Sequence, residues 1–347
     1  MKFMTLNNLQ KILTHFDLKA EKILASQKGY RNQVLPIIIK GKKTPSACLV
    51  IYKNEANIVN KIKRANFVSD YLQKHNFPTK KTLKNKNKQT IFKLHNNSQF
   101  RYACLYSYLP GETICWEDYS QKHLKLLGKS LSLMHQNLTE IDSQKLNNWP
   151  LAVNILQKLN AEMQIYFAKA GVKKAINKKL GLKIPSKKLF IQFEKILEKA
   201  NQLGQNQILH LDFVRSNLLF ANQTTSNSLN FDTLSITGIL DFEKTALGNP
   251  ILDITRTLAF LLVDCKYKIP TKIKKYFLWS GYVKHGGGQL NAQQLALVNP
   301  LIKFFLFYDF YKFLLHNPYE SLEKNEHFIR TKKILQNANS PSKKTPK

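Results

Sequence analysis

Two short segments of this sequence hold side chains whose types and spacing suit one kind of chemistry. In ILHLDFVRSNLLF, His210, Asp212 and Asn217 stand as H-x-D-x-x-x-x-N. In ITGILDFEKTALGNPILD, Asp241 opens a D-F-E triplet directly after the apolar run Ile236 to Leu240. Phosphoryl transfer needs a carboxylate to orient and deprotonate the attacking hydroxyl. It also needs two oxygen ligands to hold Mg²⁺ on the nucleotide phosphates. Asp212 suits the first post, and Asn217 and Asp241 suit the other two.

The flanks say what must position them. Ile208 and Leu209 lead into the loop, and Leu218, Leu219 and Phe220 lead out, which reads as strand, polar loop, strand. A further strand ends at Asp241 and would deliver it into a cleft. The plain alternative is a hairpin whose Asp and Asn only shape turns. Glu243 adds charge beside the metal, contacts substrate, or faces solvent. His210 reads as a residue that holds the loop through backbone hydrogen bonds rather than a proton shuttle. Arg215 meets a phosphate or an acidic substrate, or lies on the surface. Asp253 reads as a brace for the loop or a helix cap, and His135 as a satisfied core histidine.

These segments resemble the superfamily of aminoglycoside phosphotransferases, choline kinases and type II homoserine kinases. Its catalytic loop runs H-G-D-x-x-x-x-N-x-L-F, against HLDFVRSNLLF here. Its metal motif runs I-D-F or I-D-W-E, then G-x-P, then D-[LI], against LDFEKTALGNPILDI. GYRNQV at 29–34 resembles the nucleotide-loop strand, LYSYLPGET at 105–113 the hinge, and LGKSLSLMHQNL at 127–138 a C-lobe helix. The resemblance implies an α+β, two-lobed protein-kinase-like fold, with a strand-rich N-lobe and a mainly helical C-lobe. It implies ATP and Mg²⁺ as cofactors, a small-molecule hydroxyl as acceptor, and Gly29 and Asn32 as nucleotide-loop residues, with Lys53 the candidate nucleotide-binding cation nearest in sequence to the family's strand lysine.

The N-lobe departs from the pattern. The family carries a Lys or Arg at the register of Val50, and kinases pair that lysine with a helix glutamate. Lys53 is out of phase with Val50 on a regular strand, so only a bulge would turn it to the same face. The helix expected over 57–75 has no glutamate, and its acidic residue is Asp70.

Along the chain, residues 1–24 read as one or two helices. VLPIII and ACLVIY form a hairpin, and Ile58, Ile62, Ala65, Val68 and Leu72 recur at helical spacing. TIFKLH and RYACLYSYL read as paired strands. Residues 1–105 are the expected N-lobe, 106–112 the hinge, 113–338 the C-lobe and 339–347 a disordered basic tail.

At 347 residues the chain can bury a sizeable core. No apolar run approaches the ~20 residues of a membrane span, so no membrane partner is expected. Cys48, Cys104, Cys115 and Cys265 form no C-x-x-C pair and read as free thiols of a reducing cytoplasm. The net charge of +32 would suit nucleic acid. It is spread through Lys- and Asn-rich loops such as KTLKNKNKQ, with no basic stripe interleaved with aromatics, so compositional bias accounts for it better.

Two rivals remain. A Ser/Thr protein kinase would need a long activation segment and an A-P-E motif, and the eleven residues between Asp241 and Asp253 leave little room. A degenerate kinase fold acting as a binding or regulatory protein would suit the missing lysine and glutamate.

Overall fold

The β-branched alternation of ACLVIY sends successive side chains to opposite faces of a sheet, and that sheet organises the first part of the chain. The computed structural model describes residues 6–28, 32–96, 99–181, 185–204, 206–221, 229–231, 234–288 and 290–337. It divides into two compact units. One takes the chain up to Thr113 together with Ser216–Thr245, and the other takes Ile114–Arg215 together with the chain from Ala246.

The first unit opens with α1 (Leu6–Thr14), β1 (Ala20–Ile23), β2 (Gln27–Lys28), β3 (Gln33–Ile39), β4 (Ala47–Ile51), α2 (Ile58–Lys74), β5 (Phe92–Asn96) and β6 (Gln99–Ser107). The strands form an antiparallel sheet ordered β1-β3-β4-β6-β5, with β2 paired to β3. Leu35, Ile37, Leu49, Ile51, Ala103 and Leu105 face Leu9 and Leu13 of α1. Val50, Tyr52, Cys104 and Tyr106 face Ile58 and Ile62 of α2. The apolar stripe expected on α2 is the one it buries. One expectation needs correcting: residues 20–23 are not helical, because Ala20 to Ile23 pair with Ile39 to Ile37 at the sheet edge.

The second unit begins with α3 (Gln121–Thr139), α4 (Ala152–Ala168), α5 (Ala170–Leu180), α6 (Lys187–Gln202) and β7 (Gln207–Leu209). Ser120 caps α3 in a reciprocal box with His123. The chain then returns to the first unit for β8 (Leu218–Ala221), β9 (Leu229–Phe231) and β10 (Leu234–Ile239), ordered β8-β10-β9. A linear division at residue 113 does not describe this return. Phe220 exchanges two backbone hydrogen bonds with Glu112, at 2.8 and 3.0 Å, and the Thr237 hydroxyl donates to Pro110 O at 2.7 Å. Back in the second unit, β11 (Ala246–Gly248) pairs with β7, and α7 (Ile251–Asp264), α8 (Pro270–Lys274), a π-helical segment (Lys275–Tyr282), α9 (Ala292–His316), α10 (Tyr319–Leu322) and α11 (Glu326–Asn337) complete it.

Two glycines set the depth of the second unit's core. A Cβ at Gly128 of α3 would lie 2.1 Å from Phe277 O, and one at Gly281 would lie 2.8 Å from Lys125 O. Their absence lets α3 and the π-helical segment touch backbone to backbone. That approach brings Tyr282 within reach of His135. Further out, Arg256 of α7 makes a two-pronged pair with Asp309 of α9, at 2.8 and 2.9 Å, both side chains buried.

Candidate active site

The candidate residues divide between the units. In the second unit, β7 ends at Leu209 and the chain enters the loop at His210, which is fully buried. Asp253, in the first turn of α7, meets it there. The His210 amide donates to Asp253 Oδ2 at 2.7 Å and the Leu211 amide to Oδ1 at 2.6 Å. His135 Nε2 lies 3.1 Å from the same Oδ2, and its Nδ1 lies 2.7 Å from the Tyr282 hydroxyl. A neutral imidazole with its proton on Nε2 satisfies both contacts, donating to Asp253 and accepting from Tyr282. Burial, with Asp253 beside it, pushes the Tyr282 hydroxyl well above its ordinary range. Asp253 is therefore the brace of the loop, one of its two expected roles.

Leu211 sits at φ 58, in the left-handed region. The resembling motif has glycine at this position, and a residue with a Cβ pays roughly 1–2 kcal/mol there. The two amide-to-carboxylate bonds offset that cost. Asp212 follows, nearly buried, its amide donating to His210 Nδ1 at 3.2 Å. The His210 ring thus accepts from the loop backbone. Arg215 points inward: its Nη1 donates to Ile114 O at 3.1 Å, its Nε stands 3.6 Å from Asp264 Oδ2, and its guanidinium lies 5.0 Å from the Trp116 ring centre. Burial pushes the Asp264 carboxyl up to about 6, against the pull of Arg215.

In the first unit, β8 and β10 run antiparallel with Leu218 opposite Ile239. The Leu240 amide donates to Asn217 O at 2.8 Å, so Asn217 and Asp241 share one end of this hairpin. Asp241 sits at φ 60, and its carboxylate accepts from the Glu243 amide. Asp and Asn enter this region more readily than other residues with a Cβ, because the short polar side chain bonds locally. The Glu243 carboxylate accepts from Asn32 Nδ2 at 2.7 Å, and Asn32 Oδ1 accepts from the Lys53 amide at 3.2 Å. Asn32 therefore ties the D-F-E turn to the end of β4. The Lys53 side chain itself is exposed, and the pairing of β4 with β3 and β6 shows no bulge. Gly29 lies outside the described residues, as does the tail at 339–347.

A network not anticipated from the sequence lies under Val50. The Tyr52 and Tyr106 hydroxyls are 2.6 Å apart, and Tyr106 donates to Asn66 Oδ1 of α2 at 2.7 Å. Burial raises both hydroxyls well above their ordinary range, and the charges of Glu243 and Asp241 add to this at Tyr52. An uncharged trio thus joins the sheet to α2. The one signal for it was Asn66, a polar residue four positions after Ile62 on the apolar stripe.

Asn217 and Asp241 offer hard oxygens, the donors Mg²⁺ takes. Among the described residues no three His, Cys, Asp or Glu side chains gather as a metal cage. A Mg²⁺ carried on nucleotide phosphates needs only one or two protein oxygens.

The model of a family described as the phosphotransferase enzyme family matches residues 59–264. No curated protein sequence matches the chain. Among solved structures, the fold is similar to an amicoumacin kinase in complex with AMP-PNP, Ca²⁺ and its ligand, with a TM-score of 0.69 at 15% identity over 95% of this chain and 92% of that one. A microcompartment-associated aminopropanol kinase gives 0.62 at 12% identity over 96% and 97%. A spectinomycin phosphotransferase in complex with ADP and spectinomycin gives 0.59 at 13% identity over 97% and 95%. The fold is the two-lobed, protein-kinase-like α+β class expected.

Proposed function

We propose, from the premise that this chain belongs to the phosphotransferase enzyme family, that it transfers the γ-phosphoryl group of ATP to a hydroxyl of a small molecule. The hydroxyl oxygen bonds to the γ-phosphorus, the bridge oxygen to the β-phosphorus leaves with ADP, and the hydroxyl proton passes to Asp212. Asn217 and Asp241 would hold Mg²⁺, which when bound would neutralise charge on the β- and γ-phosphates. His210 and Asp253 keep Asp212 in place, and Asn32 and Glu243 steady the turn after Asp241. Arg215, fixed by Trp116 and Asp264, borders the acceptor.

The observation that carries this reading is the clamp of Asp253 on His210 and Leu211. It maintains a strained backbone immediately before Asp212, and such strain collects at working sites. A small acceptor is supported by the short Asp241-to-Asp253 interval and by the substrates named for the similar structures. Four free cysteines, and no helix among the described residues long and apolar enough to cross a membrane, fit a cytoplasmic setting.

One observation favours a second reading. The uncharged Tyr52–Tyr106–Asn66 trio stands between sheet and helix, where kinases keep an ion pair, and this suits a binding protein without turnover. ATP consumption across amino alcohols, sugars, choline and aminoglycosides separates the two. A turned-over acceptor supports the transferase. Mg·ATP binding with no acceptor in any class supports the binding protein, and no ATP binding at all defeats both.

A further inference from the structure

On the sheet face that carries Val50, its neighbours Cys48, Tyr52, Cys104 and Tyr106 are uncharged, and Lys93, opposite Tyr102 on β5, lies 4.8 Å from the centre of the Phe100 ring instead. A cation beside Val50 must therefore come from outside these neighbours. Lys80, in the segment after α2, brings its Nζ to 3.8 Å from the centre of the Tyr106 ring. Its charge reaches the Cys48 and Cys104 thiols, where it opposes the burial that pushes each up to about 11.

The backbone under Lys80 is fixed. The Ser69 hydroxyl donates to Lys80 O at 2.7 Å, and the Lys81 amide donates to Ser107 Oγ at 2.8 Å. Thr79 bridges Ile239 in parallel, and the Ile239 amide donates to Pro78 O at 2.7 Å. Lys80 is one residue past that bridge on its side, and Asp241 is two residues past it on the other. The Tyr106 ring beneath Lys80 carries the hydroxyl that meets Tyr52, and Tyr52 feels the charges of Glu243 and Asp241. The ammonium thus lies over the ring of one paired tyrosine, and the other tyrosine is within reach of the carboxylate charges.

We infer that Lys80, and not Lys53, is the cation that binds the nucleotide phosphates, supplied from the segment after the helix in place of the strand residue at Val50. This rests on the phosphotransferase reading above. An ammonium on a flexible stem serves as a point-charge phosphate binder from either origin. Tyr106 holds it ready by the attraction of its ring face.

The test compares Mg·ATP with adenosine as titrants of the full chain, by calorimetry. Lys80→Met weakens ATP binding about tenfold or more, the scale of one lost charge-assisted contact, and leaves adenosine within about twofold. Lys80→Arg keeps most of the ATP affinity, and Lys53→Met changes neither titrant. The unfolding midpoint of each variant confirms that the fold persists, and if Lys80→Met fails to fold, Lys80→Gln takes its place. Equal losses for ATP and adenosine, or a larger loss from Lys53→Met, overturn the inference while leaving the phosphotransferase reading standing. A wild-type chain that binds neither titrant defeats that reading and the inference with it.

Discussion

Asp253 and Leu211 meet through a 2.6 Å hydrogen bond, a carboxylate oxygen accepting from the amide of a residue held at φ 58. The other oxygen of the same carboxylate holds His210 and His135. One fully buried side chain therefore serves three donors. Asp253→Ala strands them all, and we expect a loss of roughly 3–5 kcal/mol, read from urea unfolding. Asp253→Asn keeps one acceptor oxygen and should lose clearly less. Equal losses would mean that the carboxylate is not the brace.

Leu211 itself gives a test of sign. In ordinary backbone Ala is more stable than Gly, but at a left-handed position the order reverses. Both substitutions remove the same buried side chain. Leu211→Gly should therefore exceed Leu211→Ala in stability by about 1 kcal/mol. An Ala variant at least as stable as the Gly variant would show that the loop is relaxed in solution.

For Asp212→Asn we expect turnover to fall by about 10²–10⁴, the usual contribution of a positioned acid–base group, with the unfolding midpoint little changed. Asp241→Ala should remove the Mg²⁺-dependent part of the stabilisation by ATP. In the wild type that stabilisation is about 2.7 kcal/mol at a hundredfold excess over the dissociation constant. Near wild-type turnover in the first variant, or an intact metal response in the second, would reassign these residues.

The tyrosine trio predicts a coupling. Tyr106→Phe removes two hydrogen bonds and leaves Asn66 and Tyr52 short of a partner, costing about 1–3 kcal/mol. Tyr52→Phe removes one. The double variant should cost less than the sum of the singles by about 0.5 kcal/mol or more. Strict additivity would mean that the two hydroxyls do not pair.

Asp264 and His327 offer a pH test, because burial drives each toward its neutral form while they stand 3.8 Å apart. Asp264 rises from its ordinary 3.8 to about 6, so its penalty is absent below about 4 and full above about 6. On its own it lowers stability as pH rises through that window. His327 falls from 6.5 to about 4, and His123 does the same, so on their own they raise stability as pH climbs from about 4 to 6.5. The opposing slopes partly cancel in the wild type. Asp264→Asn should steepen the rise between pH 4 and 6.5, and His327→Gln should flatten or reverse it. Parallel curves for all three chains would show that neither group is buried in solution.

What the sequence disclosed followed the range of each signal. The α2 stripe repeats every three or four residues, and the helix that forms buries that stripe. Asn217 and Asp241 could each be placed at a strand end because apolar runs flank them closely, but that β8 pairs with β10, and β7 with β11, could not be read from those runs. The return of Ser216–Thr245 to the first unit rests on Phe220 pairing with Glu112, a contact that leaves no trace in local pattern. Lys53 was a question of strand register, which slips by one residue without changing composition. The tyrosine trio joins β4, β6 and α2, and no single stretch of sequence contains it.

The trio also bears on regulation. Kinases that swing their helix outward do so by parting an ion pair, which salt, a proton or a nearby phosphate can unfasten. Here the latch between helix and sheet is made of neutral hydroxyls and an amide, and burial moves the hydroxyls still further from ionisation. Neither ionic strength nor a drop in pH offers a handle on it. The output of such a protein would then follow the supply of its ligands rather than the parting of an ion pair at this latch.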